Sequence, residues 1–239
     1  MSMTTYSVRT GVAIAFAALA ATGAIDASAA EAAGKARTAD APQVRVGDQW
    51  VYHGVDGYRT KIEWDETHTV TAVAPDRTTV DVVTRGTNLN SERTETWAAP
   101  GIVQTGTICD QNGRYEPPFT RYRYPLGNKG SWSQQIRNVD RPPGPYGPIS
   151  YRATIRGVEK VSTRAGTFDA VKIRYVMRLD DETISRYATQ CDYLVWYAPS
   201  VGAAVREQRR SWSMDKGRSS PRIPGQNGIL ELVSFTRGK

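Results

Sequence analysis

The stretch HTVTAVAPDRTTVDVV, His68 to Val83, reads as two strands and the turn between them. Val80 and Val82 recur on the period of two that turns one side of a strand toward a core. APDR, at 74–77, supplies turn chemistry: proline presets the backbone, and aspartate bonds to its own main chain. The same grammar recurs elsewhere. YRTKIEW puts Tyr58, Thr60, Ile62 and Trp64 on one face, and ATIRGV, DAVKIRYVM, YLVWYA and GILELVSF repeat the theme. VDG at 55–57 and LDD at 179–181 punctuate it. Past the N-terminal region no segment carries an apolar period of 3.6. Turn spacing predicts about a dozen antiparallel strands joined by hairpins.

Two phrases occur twice, in the same order. GDQW, ending at Trp50, precedes strands that close at WAAP, Trp97 to Pro100. GSW, ending at Trp132, precedes strands that close at WYAP, Trp196 to Pro199. Glycine permits a tight entry turn, tryptophan buries a large surface, and proline ends a ladder. The expectation is an internal duplication: an all-β fold, a curved antiparallel sheet or half-barrel built from two related strand units. The first would span 44–113 and the second 126–239, with a linker loop at 114–125.

The N-terminus reads as a targeting segment. Arg9 precedes the apolar run GVAIAFAALAATGA, and Ala27 and Ala29 form an A-x-A cleavage pattern. The run falls short of the roughly 20 apolar residues that a spanning helix needs. Residues 1–29 are read as a signal peptide, 30–43 as a flexible leader and 44–239 as the β domain, with no transmembrane segment after cleavage. Export makes Cys109 and Cys191 a candidate disulfide, closing a loop of about 80 residues. The alternative is two buried free thiols. Net charge is +7, and the last 36 residues carry eight basic side chains against three acidic. Outside the cytoplasm, that excess points to anionic envelope material before nucleic acid.

Two stretches are rich in Pro, Gly, Tyr and Arg: GRYEPPFTRYRYPLGNKG at 113–130 and DRPPGPYGP at 140–148. Both read as loops, as does SMDKGRSSPRIPGQNG at 213–228, before a last strand from Ile229 to Thr236. The first holds Arg114, Tyr115, Phe119, Arg121, Tyr122, Arg123 and Tyr124. Tyrosine and arginine together stack on sugars or partner side chains and pair with anions, so these seven are the candidate binding residues. The bland alternative is a loop whose aromatics cover the core. Tyr146 is a weaker companion.

PLGNKGSW (125–132), RAGTFDAVKIRY (164–175) and WYAPSVGAAVRE (196–207) resemble exported bacterial β proteins of unknown function, a group similar to the periplasmic lipoprotein-carrier (Lol-type) superfamily. The resemblance covers mainly 125–207. It implies an incomplete barrel around apolar cargo, a buried Phe168 and a strand-ending Trp196, and it transfers no binding residue. Trp50, Trp97, Trp132, Phe168 and Trp196 are read as structural.

Catalytic signals are thin. His53 and His68 are the two histidines, each near Asp48, Asp65 or Glu66. Glu63 and Asp65 share a strand face at a spacing compatible with paired carboxylates. Asp180, Asp181 and Glu182 offer too few oxygens for calcium, and the cysteines lack the neighbouring histidine of a metal site. The expectation is a non-catalytic periplasmic (alternatively extracellular) envelope protein. It would need no cofactor and bind lipid-like apolar cargo, an anionic ligand or an envelope protein. The alternatives are a cell-wall glycan hydrolase and a structural or adhesion module without a cavity.

Overall fold

The computed structural model describes residues 38–239 apart from 59–61, 88, 110, 142–145 and 218–220. The stretch read as a signal peptide, and the stretch read as a leader up to residue 37, lie outside the described residues. The strands are β1 (Gln49–Asp56), β2 (Glu63–Ala74), β3 (Arg77–Gly86), β4 (Ser91–Ala99), β5 (Ile102–Ile108) and β6 (Gln111–Thr120), then β7 (Gly130–Asn138), β8 (Ile149–Thr163), β9 (Gly166–Leu179), β10 (Thr189–Ala198), β11 (Ala203–Met214) and β12 (Arg222–Thr236). Each pairs with the next in an up-and-down meander, and β1 pairs with β12.

The sheet is therefore a closed barrel, where the sequence predicts an open half-barrel. Alternation fixes which side of a strand is buried, but it does not say whether the first and last strands meet. The closing ladder runs from Gln49↔Thr236 to Asp56↔Gly228. Three local expectations also change. β12 begins at Arg222, inside the stretch read as loop. β2 begins at Glu63, because the Asp56 N–H bonds to Ile62 O (2.9 Å) and turns the chain; Tyr58 and Ile62 sit in that connection. Residues 114–120 are strand, not linker, and the loop proper is confined to the short link after Thr120.

Loop composition at 113–124 has a physical cause. Pro117 and Pro118 stand inside β6 and donate no backbone hydrogen bond. The β6–β7 ladder shrinks to Tyr115↔Asn138 and Glu116↔Arg137. Side chains stitch the rest of this seam. Gln134 donates to Pro118 O (2.9 Å) and accepts from Thr120 N (3.1 Å). Trp132 Nε1 and the Tyr151 hydroxyl both donate to Thr120 O at 2.9 Å.

Inward positions alternate as the sequence requires: Thr78, Val80, Val82 and Thr84 on β3 are buried. Outward mid-strand positions hold ion pairs such as Arg174–Asp192 and Arg206–Glu231, both 2.6 Å. A membrane-embedded barrel carries an apolar band there. No described helix is long and apolar enough to cross a membrane.

Two apolar clusters occupy the interior. One centres on Ile136, Ile173, Tyr175, Met177 and Tyr197. The other gathers Trp50, Tyr52, Val70, Val80, Leu230 and Leu232. Trp64 helps fill one end. It lies where side chains at Gly54 and Gly86 would stand, since a Cβ on Gly54 would come within 2.2 Å of the indole. Segment 38–43 borders the other end. Ala39 and Leu126 exchange backbone hydrogen bonds (2.7 and 2.8 Å), and Pro42 abuts Gly202.

The predicted second unit contributes six strands and the first contributes five, with most of β6 falling in the predicted linker; Trp50 and Trp132 both stand at the start of a first strand. The closing tryptophans differ. Trp97 faces the lumen, whereas Trp196 faces outward, bonded to Glu159 and flanked by Lys172 (4.9 Å) and Arg206 (6.0 Å). Phe168 is half-buried rather than buried, because the β8–β9 hairpin bends at the Gly157 bulge and carries it over the outside of the barrel.

Asp48 latches the chain ends. Fully buried, it accepts from Arg45 N (2.9 Å), Gly238 N (2.9 Å) and Arg237 (3.4 Å). Asp48→Ala leaves these donors unmatched. Denaturant unfolding is expected to show a loss of about 2–3 kcal/mol; a loss under about 0.5 kcal/mol would mean the latch contributes nothing.

Candidate functional site

The alternation that buries β2, β4 and β11 also sends charges inward. Glu66 and His68 on β2 share a face with Val70, and Arg93 and Glu95 on β4 share one with Trp97. Glu207 and Arg209 come from β11, and Arg121 from the link after β6. They meet in a cavity of about 110 Å³ between the two apolar clusters. Trp50, Trp97, Tyr52, Tyr122, Tyr124 and Tyr175 form much of its wall. Gly101 sets the position of Arg121. It takes φ 80°, and its carbonyl accepts from Arg121 N (2.8 Å) and Tyr122 N (3.0 Å). A side chain there would come within 2.8 Å of Tyr122 Cβ.

The charges interleave. His68 Nε2 lies 2.6 Å from Glu66 Oε1, and Arg93 reaches the same oxygen at 3.3 Å. Glu95, 2 % exposed, lies 3.6 Å from Arg93, 3.6 Å from Arg121 and 3.4 Å from Trp97 Nε1. Arg209 holds Glu207 at 2.6 Å. Burial pushes the Glu66 carboxyl up, but the hydrogen bond and charge of His68, with Arg209 and Arg93, outweigh it and hold it well below 4.5. Burial acts likewise on Glu95, and Arg121, His68 and Arg93 outweigh it. Burial would lower the guanidinium values; Glu95 raises Arg121, and Glu207 raises Arg209. Burial keeps the Tyr52, Tyr122 and Tyr175 hydroxyls protonated. The lumen thus sets the Glu66 and Glu95 carboxylates among guanidiniums and neutral phenols.

The sequence candidates scatter. Phe119, Arg121, Tyr122 and Tyr124 line the cavity. Tyr115 is buried core, its hydroxyl bonded to Gln111 O (2.6 Å). Arg114 lies on the outside, paired with Glu116 at 2.8 Å, and Arg123 is exposed. Tyr146 is exposed, with Arg141 stacked 4.5 Å away. Cys109 and Cys191 are bridged, and the disulfide borders the cavity through Cys109.

Glu63 and Asp65 do share a face, on the outer surface, where both contact His53 (3.6 and 2.9 Å). Their side chains are 63 % and 65 % exposed. Glycoside hydrolysis needs one carboxyl raised to serve as acid. The two lumenal glutamates whose values shift, Glu66 and Glu95, move the opposite way.

Sequence reasoning missed Arg93, Glu95, Glu207 and Arg209. Their signal is period two: ERTETW places Arg93 and Glu95 in register with Trp97, and REQR places Glu207 with Arg209. A charge on the same strand face as a core tryptophan points inward.

No protein-family model matches the chain, and no curated protein matches it. Two solved structures are similar. One is described as a "putative lipoprotein" of Parabacteroides distasonis: 14 % identity over 84 % of this chain and all of that one, TM-score 0.47. The other is a "putative exported protein with YmcC-like fold" of Bacteroides fragilis: 11 % identity over 83 % of this chain and all of that one, TM-score 0.44. Neither description names a carrier of lipoproteins.

Proposed function

We propose that this chain is an exported, non-catalytic binding protein that holds a compact polar ligand inside the barrel. The observation that carries the reading is the charged cavity walled by aromatics. Buried ion pairs are costly, and filling a lumen with apolar side chains is the cheaper way to stabilise a barrel. Seven ionisable side chains around a cavity have a use if a ligand engages them.

The lipid-like cargo expected from the sequence fits poorly. Ligand pockets for molecules of drug size run to roughly 300–1,000 Å³, against about 110 Å³ here. An acyl chain would also strip water from Arg93, Glu95 and Arg121 with nothing in return. Export rests on the N-terminal segment, and the duplication rests on the repeated tryptophan phrases.

Native mass spectrometry of the chain purified from the extracytoplasmic fraction tests the reading. The expected result is a retained small-molecule mass that leaves on mild activation. A mass matching the bare chain, together with no thermal shift from any polar small molecule, would overturn it.

A further inference from the structure

The lumen interleaves acidic and basic side chains, and its charges are not sorted into poles. Glu95 lies between Arg93 and Arg121, and Glu66 between His68 and Arg93. An anion entering to meet a guanidinium would meet a carboxylate within the same few ångströms. A zwitterion needs separated positive and negative ends, and would have to break pairs already made. An apolar molecule satisfies neither.

Two further observations point to a ligand rather than a finished network. Among the described residues, Arg93 Nε is buried without a hydrogen-bond partner. Among the described residues, the Glu95 carboxylate has its donors at 3.4–3.6 Å, whereas a tight charge-assisted bond is about 2.7–2.9 Å. An inserted hydroxyl would donate to the glutamate and accept from the arginine. The aromatic wall suits the C–H faces of a ring, as indole and phenol rings present an apolar body with a polar tip.

Building on the lumen-binding reading above, we infer that the ligand is a neutral sugar, a polyol ring whose hydroxyls bridge Glu95 to Arg93 and Arg121 while its ring stacks on the Trp97 side. Alternating donors and acceptors on one small molecule match alternating charges on the wall.

The test titrates the full chain separately with glucose, galactose and N-acetylglucosamine, with inorganic phosphate and with decanoate. Tryptophan fluorescence reports on Trp50 and Trp97, and calorimetry runs in parallel. The expected result is saturable binding of at least one sugar, with phosphate and decanoate silent. Glu95→Gln should weaken that binding tenfold or more while circular dichroism stays unchanged. If Glu95→Gln unfolds the chain, Gln226→Ala on the cavity wall carries the same expectation. Binding of phosphate or decanoate without a sugar would overturn this inference and leave the lumen reading in place. Silence from all probes, together with a bare mass in native spectrometry, would overturn both.

Discussion

Glu95→Ala is expected to destabilise the barrel by about 3–5 kcal/mol, the usual cost of leaving a buried ionic partner uncompensated. At about 2–4 °C per kcal/mol for a chain of this size, that lowers the melting temperature by roughly 10 °C or more. Glu95 is 2 % exposed and faces two guanidiniums and an indole N–H. Removing it takes the carboxylate from Arg121 and leaves Arg93 with Glu66 alone. A double variant separates this cause from simple cavity creation. Glu95→Leu with Arg121→Leu removes a charge of each sign and should cost less than Glu95→Ala alone. A double variant that costs the sum of its parts would show that the two side chains do not interact.

Acid should reveal the same network. The folded-state values of Glu66 and Glu95 are held below the ordinary 4.5. Their contribution is therefore fully present above about pH 4.5, where unfolded carboxylates are ionised too, and drains away as pH falls toward the folded values. Glu95→Gln should flatten that acid limb while lowering stability at neutral pH.

Why the lumen escaped the sequence follows from how strands encode faces. Alternation made Val80 and Val82 readable as core, and they are. The hairpin at APDR and the number of strands were legible for the same reason. Arg93, Glu95, Glu207 and Arg209 obey the same alternation, but a charged residue on a strand is ordinarily assigned to solvent, so the pattern reads as an exposed face. Closure was illegible because alternation fixes a strand's face and not its neighbour: the β12 residues that pair with β1 run from Gly228 to Thr236 and read as a strand, yet nothing in them names β1 as the partner. The prolines of β6 misled in the opposite direction. Pro117 and Pro118 argue against a strand, and the barrel tolerates them because Gln134, Trp132 and Tyr151 replace the missing ladder bonds. Long-range side-chain rescue of that kind has no signature within a short window.

The disulfide acts on that same seam. Cys109, just after β5, and Cys191, on β10, belong to strands with β6, β7, β8 and β9 between them around the wall. The bridge therefore runs across the arc that contains the two-pair β6–β7 ladder. With 82 residues separating the cysteines, the chain-entropy relation gives about 4–5 kcal/mol of stabilisation. The expected result for Cys109→Ser with Cys191→Ser is a melting temperature lower by roughly 10–15 °C. A second effect distinguishes this bridge from a generic constraint on the unfolded chain. If it clamps the seam, its removal should speed amide hydrogen exchange at Tyr115, Glu116 and Val139 relative to amides of the β8–β9 ladder. Uniform acceleration at every amide would mean that the bridge acts through the unfolded state alone. Selective opening at the seam would make it the barrel's weakest wall, held shut from the inside.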